Sequence, residues 1–313
     1  MRSGSNLEKV LSAGHFAVTA ELGPPAGADT EPVRRKAELL RGAVDAVNVT
    51  DNQTAVVRMS SVAVSSLLVQ MGIEPVMQMV CRDRNRIAMQ SDIFGASALG
   101  IRNLTCLSGD HQKFGNQAGA KKVYYIDSVQ LVAMVKRLRD ERKVLDSDED
   151  FAGSVPMFIG VAANPFAQPY EFRALRLAKK VAAGADYAQT QCVFDVPRFA
   201  EWMKAVRELG LHTRCGILAG VTPLKSAGMA RYMAENVPGI SIPDEILKRM
   251  SDAPKGKAAE TGLAICREII DQLRAIEGVA GIHIMAVEWE QKVREIVEGA
   301  GLLPRPPVEQ YTS

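Results

Sequence analysis

The sequence has no Cys-x-x-Cys pair, although it holds five cysteines, Cys81, Cys106, Cys192, Cys215 and Cys266. An odd number without paired spacing argues against a secreted disulfide framework and offers no metal-site spacing. No apolar run approaches membrane-spanning length, and the N-terminal segment carries no apolar core of signal-peptide length. These absences predict a cytoplasmic protein with no membrane span. Charge of one sign is also lacking: the net charge is +2, too balanced to suggest a nucleic-acid surface. No Gly-x-Gly-x-x-Gly follows any strand, which counts against a Rossmann-type nucleotide site. Neither a nucleophile elbow nor a Ser-His-Asp spacing appears.

What is present is a regular alternation. Hydrophobic residues make up 47% of the 313 and charged residues 24%, as in a globular enzyme. Apolar, β-branched runs predict strands over Phe16–Glu21, Val44–Thr50, Pro75–Val80, Ile101–Cys106, Met157–Ala162, Tyr187–Val193, His212–Leu218 and Ile282–Val287. Amphipathic stretches predict helices over Glu31–Arg41, Val56–Met71, Arg84–Leu99, Ser128–Lys143, Pro169–Ala183, Pro197–Leu209 and Glu290–Glu298. More than one helix lies between Leu224 and Glu277, broken at Pro238 and Pro243. Strand–helix units repeated in this way over a chain of this length predict an α/β fold, a TIM (β/α)8 barrel. An open doubly wound sheet is the competing arrangement. Residues 1–303 form the expected single domain. Residues 304–313 form a Pro-rich tail, expected on the surface or against a partner.

In a barrel, chemistry sits at the C-terminal ends of the strands. The polar residues there are Glu21, Thr50, Gln78, Asp110, Asn164, Gln191 and Glu288. Two carboxylates and several amides around one cavity supply the donors and acceptors that a pterin or flavin ring edge requires. Glu21 precedes Leu22-Gly23-Pro24-Pro25, a setting expected to desolvate its carboxyl partly and favour general-acid work. Gly109, in the turn Leu107-Ser108-Gly109-Asp110, lets backbone pass close to a flat ligand. Lys179-Lys180 complements a helix C-terminus. Cys81, Cys106, Cys192 and Cys215 lie near strand ends and read as small core hydrophobes rather than a metal cluster. His111, beside Asp110, is within reach of a ligand there.

The pieces Ala20-Glu21-Leu22-Gly23-Pro24-Pro25, Val47-Asn48-Val49-Thr50, Leu107-Ser108-Gly109-Asp110 and Thr190-Gln191-Cys192-Val193-Phe194-Asp195 occur in this order on these strands. With Gly216-Ile217-Leu218 and Gly281-Ile282-His283-Ile284-Met285, they resemble the methylenetetrahydrofolate reductase family from Phe16 to Leu302. The resemblance implies a barrel holding a flavin at its strand C-termini, FAD in preference to FMN, and no metal. It implies reduction of methylenetetrahydrofolate to methyltetrahydrofolate. Glu21 then matches the general acid that opens the imidazolidine ring, and Asp110 the carboxylate near flavin and pterin. Gln191 matches a folate contact. Thr50, Gln78, Leu107, Ser108, Gly109, Asp110, Asn164, Lys180 and Ala185 fall where the family lines its flavin site.

Departures from the family pattern are also visible. Ser108 stands where many members have Arg, Gln78 where many have His, and Asn164 where many have Tyr. Leu224 matches a position that is often aromatic and stacks folate or nicotinamide, and it follows a lengthened Ala219–Pro223 loop. The similar forms come from anaerobic one-carbon pathways, which implies an iron–sulfur protein subunit as electron donor; a homo-oligomer is compatible with this. The competing functional classes are a pterin-dependent methyltransferase and a barrel subunit that scaffolds an electron-transfer complex.

Overall fold

The computed structural model describes residues 1–307, and residues 308–313 of the Pro-rich tail lie outside them. Eight parallel strands close in sequence order into a barrel: β1 (Ala17–Leu22), β2 (Ala46–Val49), β3 (Pro75–Val80), β4 (Asn103–Leu107), β5 (Phe158–Ala163), β6 (Tyr187–Cys192), β7 (Gly216–Val221) and β8 (Val279–Ile284). The expected TIM barrel is therefore the fold. Around it run α1 (Asn6–Ser12), α2 (Glu31–Leu40), α3 (Ser61–Gln70), α4 (Arg86–Ala98), α5 (Ser128–Asp140), α6 (Phe172–Ala183), α7 (Val196–Glu208), α8 (Ala227–Asn236), α9 (Asp244–Ser251), α10 (Ala258–Arg274) and α11 (Val293–Gly299). No helix among the described residues is long and apolar enough to cross a membrane.

Alternation along the strands divides the side chains between two cores. Outward-facing residues such as Val18, Ala20, Val47, Met77, Leu104 and Ile159 join the helices in the main hydrophobic core. Ala17, Ala46, Val76, Phe158, Tyr187 and Leu218 form a second, inner cluster, sealed by Leu7 and Val10 of α1. That plug fills the N-terminal end of the barrel. The α1 helix, absent from the expected elements, is short but well anchored. Ser5 caps it, and the Glu74 carboxylate accepts from the N–H groups of Asn6 and Leu7. The described part of the tail also lies against the barrel: the Arg305 guanidinium donates to both oxygens of the buried Asp45 carboxylate, at 3.0 and 2.6 Å.

Two strands lie elsewhere along the chain than expected. Residues Leu211–Thr213 form a short 3-10 turn, so β7 starts only at Gly216. Gly278, with φ of 90°, turns the chain into β8, which begins at Val279 and ends at Ile284. This moves His283 from the start of the strand to near its C-terminal end. It also leaves Glu288 beyond the strand, where its carboxylate pairs with Lys36 of α2 at 2.9 Å.

Candidate active site

At the C-terminal end of the barrel lies a cavity of 520 Å³. Its wall includes Glu21, Gln78, Leu107, Asp110, Asn164, Lys180 and Gln191, which the sequence points to. It also includes Thr105, Arg173, Arg176, Gln189, His283 and Met285, which the sequence reading did not single out as site residues. Period two explains the strand residues of the second group, Thr105, Gln189 and His283. In β1 the inward residues are Ala17, Thr19 and Glu21, and in β6 they are Tyr187, Gln189 and Gln191. Stepping two residues back from each strand-end residue would have found the layer below it.

That layer is polar and almost fully buried. Asn48 and Gln189 exchange two amide hydrogen bonds, at 2.7 and 3.0 Å. Gln189 also reaches Thr19 Oγ1 at 3.2 Å, and Thr19 Oγ1 lies 2.9 Å from His283 Nδ1. The far ring nitrogen, Nε2, faces the Glu21 carboxylate at 3.7 Å. On the other side of the barrel, Thr105 Oγ1 and Tyr187 Oη pair at 3.0 Å, and Gly160 leaves the space that the Tyr187 ring fills.

In the turn after β4 the glycine is required by the backbone and by the protein's own Val80 and Arg82, which fill the space beside it. Gly109 has φ of 89°, and a Cβ there would lie 3.0 Å from Val80 Cβ. Arg82, a fully buried guanidinium, donates to the Asp110 carbonyl at 3.1 Å and to the Asn52 carbonyl at 3.1 Å. It ties the loops after β2, β3 and β4 together. The Asp110 carboxylate stays at the cavity edge. Ser108 turns away, and its hydroxyl donates to Ser128 at the start of α5. His111 is also turned outward, with Nε2 2.9 Å from Lys122 Nζ.

Arg173, Arg176 and Lys180 place three cationic groups along one face of α6, spaced three and four residues apart. Lys180 Nζ donates to the Ala162 carbonyl at 2.6 Å. Burial, with repulsion from Arg176, lowers its ammonium to about 8. Thr50 is buried, and its Oγ1 has no partner within the protein. The row of cations beside the amides of Gln78, Asn164 and Gln191 on the cavity wall fits a ring-and-phosphate cofactor such as a flavin.

Five expected residues are outside the cavity wall: Thr50, Ser108, Gly109, Ala185 and Leu224. Ala185 precedes β6, at the N-terminal end of the barrel, beside Lys136 and Arg139. It is buried there and cannot touch a ligand at the strand C-termini. Leu224 is fully buried in the main core, and its backbone carbonyl packs against Gly262 of α10. The expected Ala219–Pro223 loop is not a long loop, because Ala219–Val221 belong to β7 and only Thr222 and Pro223 separate the strand from the buried leucine.

The strand-end cysteines act as core residues. Burial pushes the thiols of Cys81, Cys192 and Cys215 up to about 12 and raises that of Cys106 as well, so they remain protonated. Among the described residues no group of three or more His, Cys, Asp or Glu is arranged to hold a metal.

A family model described as methylenetetrahydrofolate reductase matches residues 6–301. The chain is 25% identical over 261 residues to a probable methylenetetrahydrofolate reductase (NADPH) of Caenorhabditis elegans, covering 80% of this chain and 36% of that protein. It is 22% identical over 236 residues to methylenetetrahydrofolate reductase 2 of Schizosaccharomyces pombe, covering 73% of this chain and 36% of that protein. The matched part thus spans about a third of the length of these curated relatives. Among solved structures, a protein from Clostridium thermocellum that binds two copies of 5-methyl-5,6,7,8-tetrahydrofolic acid superposes with a TM-score of 0.63. The identity is 13%, with 95% of this chain and 99% of that one covered, so this likeness speaks for the fold. With the family match running from α1 to the end of the last helix, the chain belongs to the methylenetetrahydrofolate reductase family.

Proposed function

We propose that this chain reduces 5,10-methylenetetrahydrofolate to 5-methyltetrahydrofolate with a bound flavin. The observation that carries the reading is the convergence of Glu21, Asp110, Gln191 and the α6 cations on one cavity. The flavin, when bound, supplies the hydride. Arg173, Arg176 and Lys180 would hold its phosphates, and Gln78 and Leu107 would meet its ring. Three cations in a row span more than one phosphate, which favours FAD over FMN. Gln191 would orient the pterin. Glu21 gives its proton to the ring nitrogen that leaves the methylene carbon. The resulting N5-iminium cation is stabilised by the negative charge on Asp110.

The electron donor in this reading is an iron–sulfur protein subunit docking at the barrel mouth. Among the described residues no Phe, Tyr or Trp lines the cavity, so no aromatic face is offered to a nicotinamide ring. The experiment is anaerobic. The purified protein is checked for its flavin, which is released and identified. The flavin is then reduced with NADH, NADPH or a viologen and mixed with methylenetetrahydrofolate. Reoxidation with stoichiometric methyltetrahydrofolate supports the reading, and a protein without flavin favours a methyltransferase. Rapid bleaching by NADH, at an ordinary turnover of about 10 s⁻¹, would remove the need for a protein donor. Turnover by the isolated chain with an artificial reductant would exclude a purely scaffolding role.

A further inference from the structure

The exposed aromatic side chains are not spread evenly over the molecule. Among the described residues they are Phe114, Tyr124, Tyr125, Tyr170, Phe172 and Tyr232. All but Tyr232 lie in the loop after β4 or at the start of α6, on one sector of the cavity rim. Exposed apolar groups gathered in this way mark a surface that something covers, and aromatic residues are enriched in such interfaces. The segment 111–126 holds half of them, together with Lys113, Lys121 and Lys122, and contains no Asp or Glu. Lys113 Nζ sits 4.9 Å from the centre of the Phe114 ring, and Lys122 meets His111, so neither partner is a carboxylate. The segment also joins the cavity edge, because Tyr124 Oη donates to the Gly109 carbonyl at 3.1 Å, next to Asp110. Val57, 57% exposed, donates its N–H to Asn116 Oδ1 at 3.1 Å and extends the apolar area onto the loop after β2. On the opposite side Arg86 stacks 4.9 Å from Tyr125 and pairs with Asp146, the first residue of an acidic run that ends at Asp150. The rim is therefore basic beside Phe114 and bounded by acid beyond Tyr125.

We propose that this rim is the docking surface of an acidic electron-carrier protein, whose carboxylates meet Lys113, Lys121 and Lys122 while its apolar surface covers Phe114 and Val57. The proposal deepens the functional reading above and rests on it. Uncompensated lysines at the edge of an apolar area steer an acidic partner to it and repel a basic one. The acid beyond Tyr125 then turns that partner toward Phe114, against the cavity edge at Asp110. A second copy of this chain, with a net charge of +2, lacks the acidic excess that the lysines call for. An iron–sulfur carrier gives up one electron at each docking. Two dockings, with one proton from water, reduce one flavin.

The test measures binding of the purified chain to an acidic two-iron ferredoxin of plant type by surface plasmon resonance. Association should be fast at low salt and slow down as salt rises. Lys113→Glu, Lys121→Glu and Lys122→Glu combined should cut the association rate at low salt by about tenfold or more, and the matching Gln variant should fall between. Phe114→Ser should leave association alone and speed dissociation. Reduction of the flavin by a viologen at high salt should keep its wild-type rate in every variant, which also shows that the variants fold. A wild type that does not bind the ferredoxin, or a Glu variant that associates as fast as wild type, overturns the proposal. So does a Glu variant whose only change is a raised KM for folates with a polyglutamate tail, since the lysines would then serve the substrate. Tighter binding of an oligonucleotide than of ferredoxin at the same lysines would make the rim a nucleic-acid surface and overturn it as well. A chain that reduces folate with viologen and ignores ferredoxin loses the docking surface alone. A chain that binds ferredoxin through these lysines and carries no flavin keeps the surface and loses the functional reading.

Discussion

The backbone N–H of Thr54 donates to the Asp110 carboxylate at 3.0 Å. Through this bond the loop after β2 meets the loop after β4 at the cavity mouth. The contact continues at Gly115, where a Cβ would come within 1.8 Å of the Ala55 carbonyl oxygen. Asp110 is thus held by backbone on one side and is free on the other to present charge.

Asp110→Asn keeps an acceptor for Thr54 and removes the charge. Reduced flavin should form more easily, so the midpoint potential should rise. Folate turnover should fall by about 10²-fold, the usual loss when one preorganised electrostatic group is removed. Spectroelectrochemistry and steady-state turnover read the two effects. A potential that stays put or falls would sink the proposed place of this carboxylate.

Glu21→Gln retains the shape of the side chain without its acid proton. Flavin binding and flavin reduction should persist, and turnover of methylenetetrahydrofolate should drop by ~10²–10⁴-fold. Half-reaction kinetics separate the steps. A variant that reduces folate at near-normal rate shows that the acid is elsewhere.

Lys180 makes cofactor binding sensitive to pH. Burial lowers its ammonium to about 8, so above that value the Lys180 side chain of the free site is neutral. A bound phosphate favours the charged form and raises the ammonium again. Binding above about 8 therefore takes up a proton, and affinity falls as the pH rises through that value. One linked proton sets a limit of about tenfold per pH unit. Calorimetric titration of the flavin-free protein with FAD measures the slope, and Lys180→Met should flatten it. A slope that survives in Lys180→Met assigns the proton to another group.

Gly160→Ala tests the inner packing. The new methyl would stand 2.3 Å from Tyr187 Cζ and 2.4 Å from its hydroxyl oxygen. The ring must move, and its bond to Thr105 goes with it. Overpacking of this kind costs about 1–3 kcal/mol, to be read as a lower urea midpoint at constant slope. An unchanged midpoint would mean that the ring has room that the structure does not show.

Much of this was legible in the sequence because parallel strands buried on both faces are nearly continuous apolar runs. Pro75–Val80 was bounded to the residue for that reason. The β7 and β8 boundaries were less legible: the polar His212-Thr213-Arg214 forms a turn before β7, and the apolar Met285-Ala286-Val287 runs on beyond the hydrogen-bonded ladder of β8. The cavity residues Glu21, Gln78, Asp110, Asn164 and Gln191 could be read from their place at strand ends. The polar floor of Thr19, Asn48, Gln189 and His283 was not read, since a polar residue inside an apolar strand gives no sign of its partners across the barrel. Ala185 and Leu224 were carried by family resemblance alone. Pairwise position in a motif does not fix which end of a strand a residue occupies, nor which way a loop turns it.

The plug built from α1 and the inner apolar cluster has a kinetic consequence. With Leu7 and Val10 packed against the inner cluster at one end, the described residues leave the cavity open at the strand C-termini. A small artificial reductant such as a viologen would share that opening with folate, and the two would have to queue. Each would enter after the other had left, with reducing equivalents waiting inside between visits. Double-reciprocal plots at several fixed levels of one reactant should then give parallel lines, and excess folate should slow the arrival of electrons. Intersecting lines would require both reactants to be resident at once, and so a second way in.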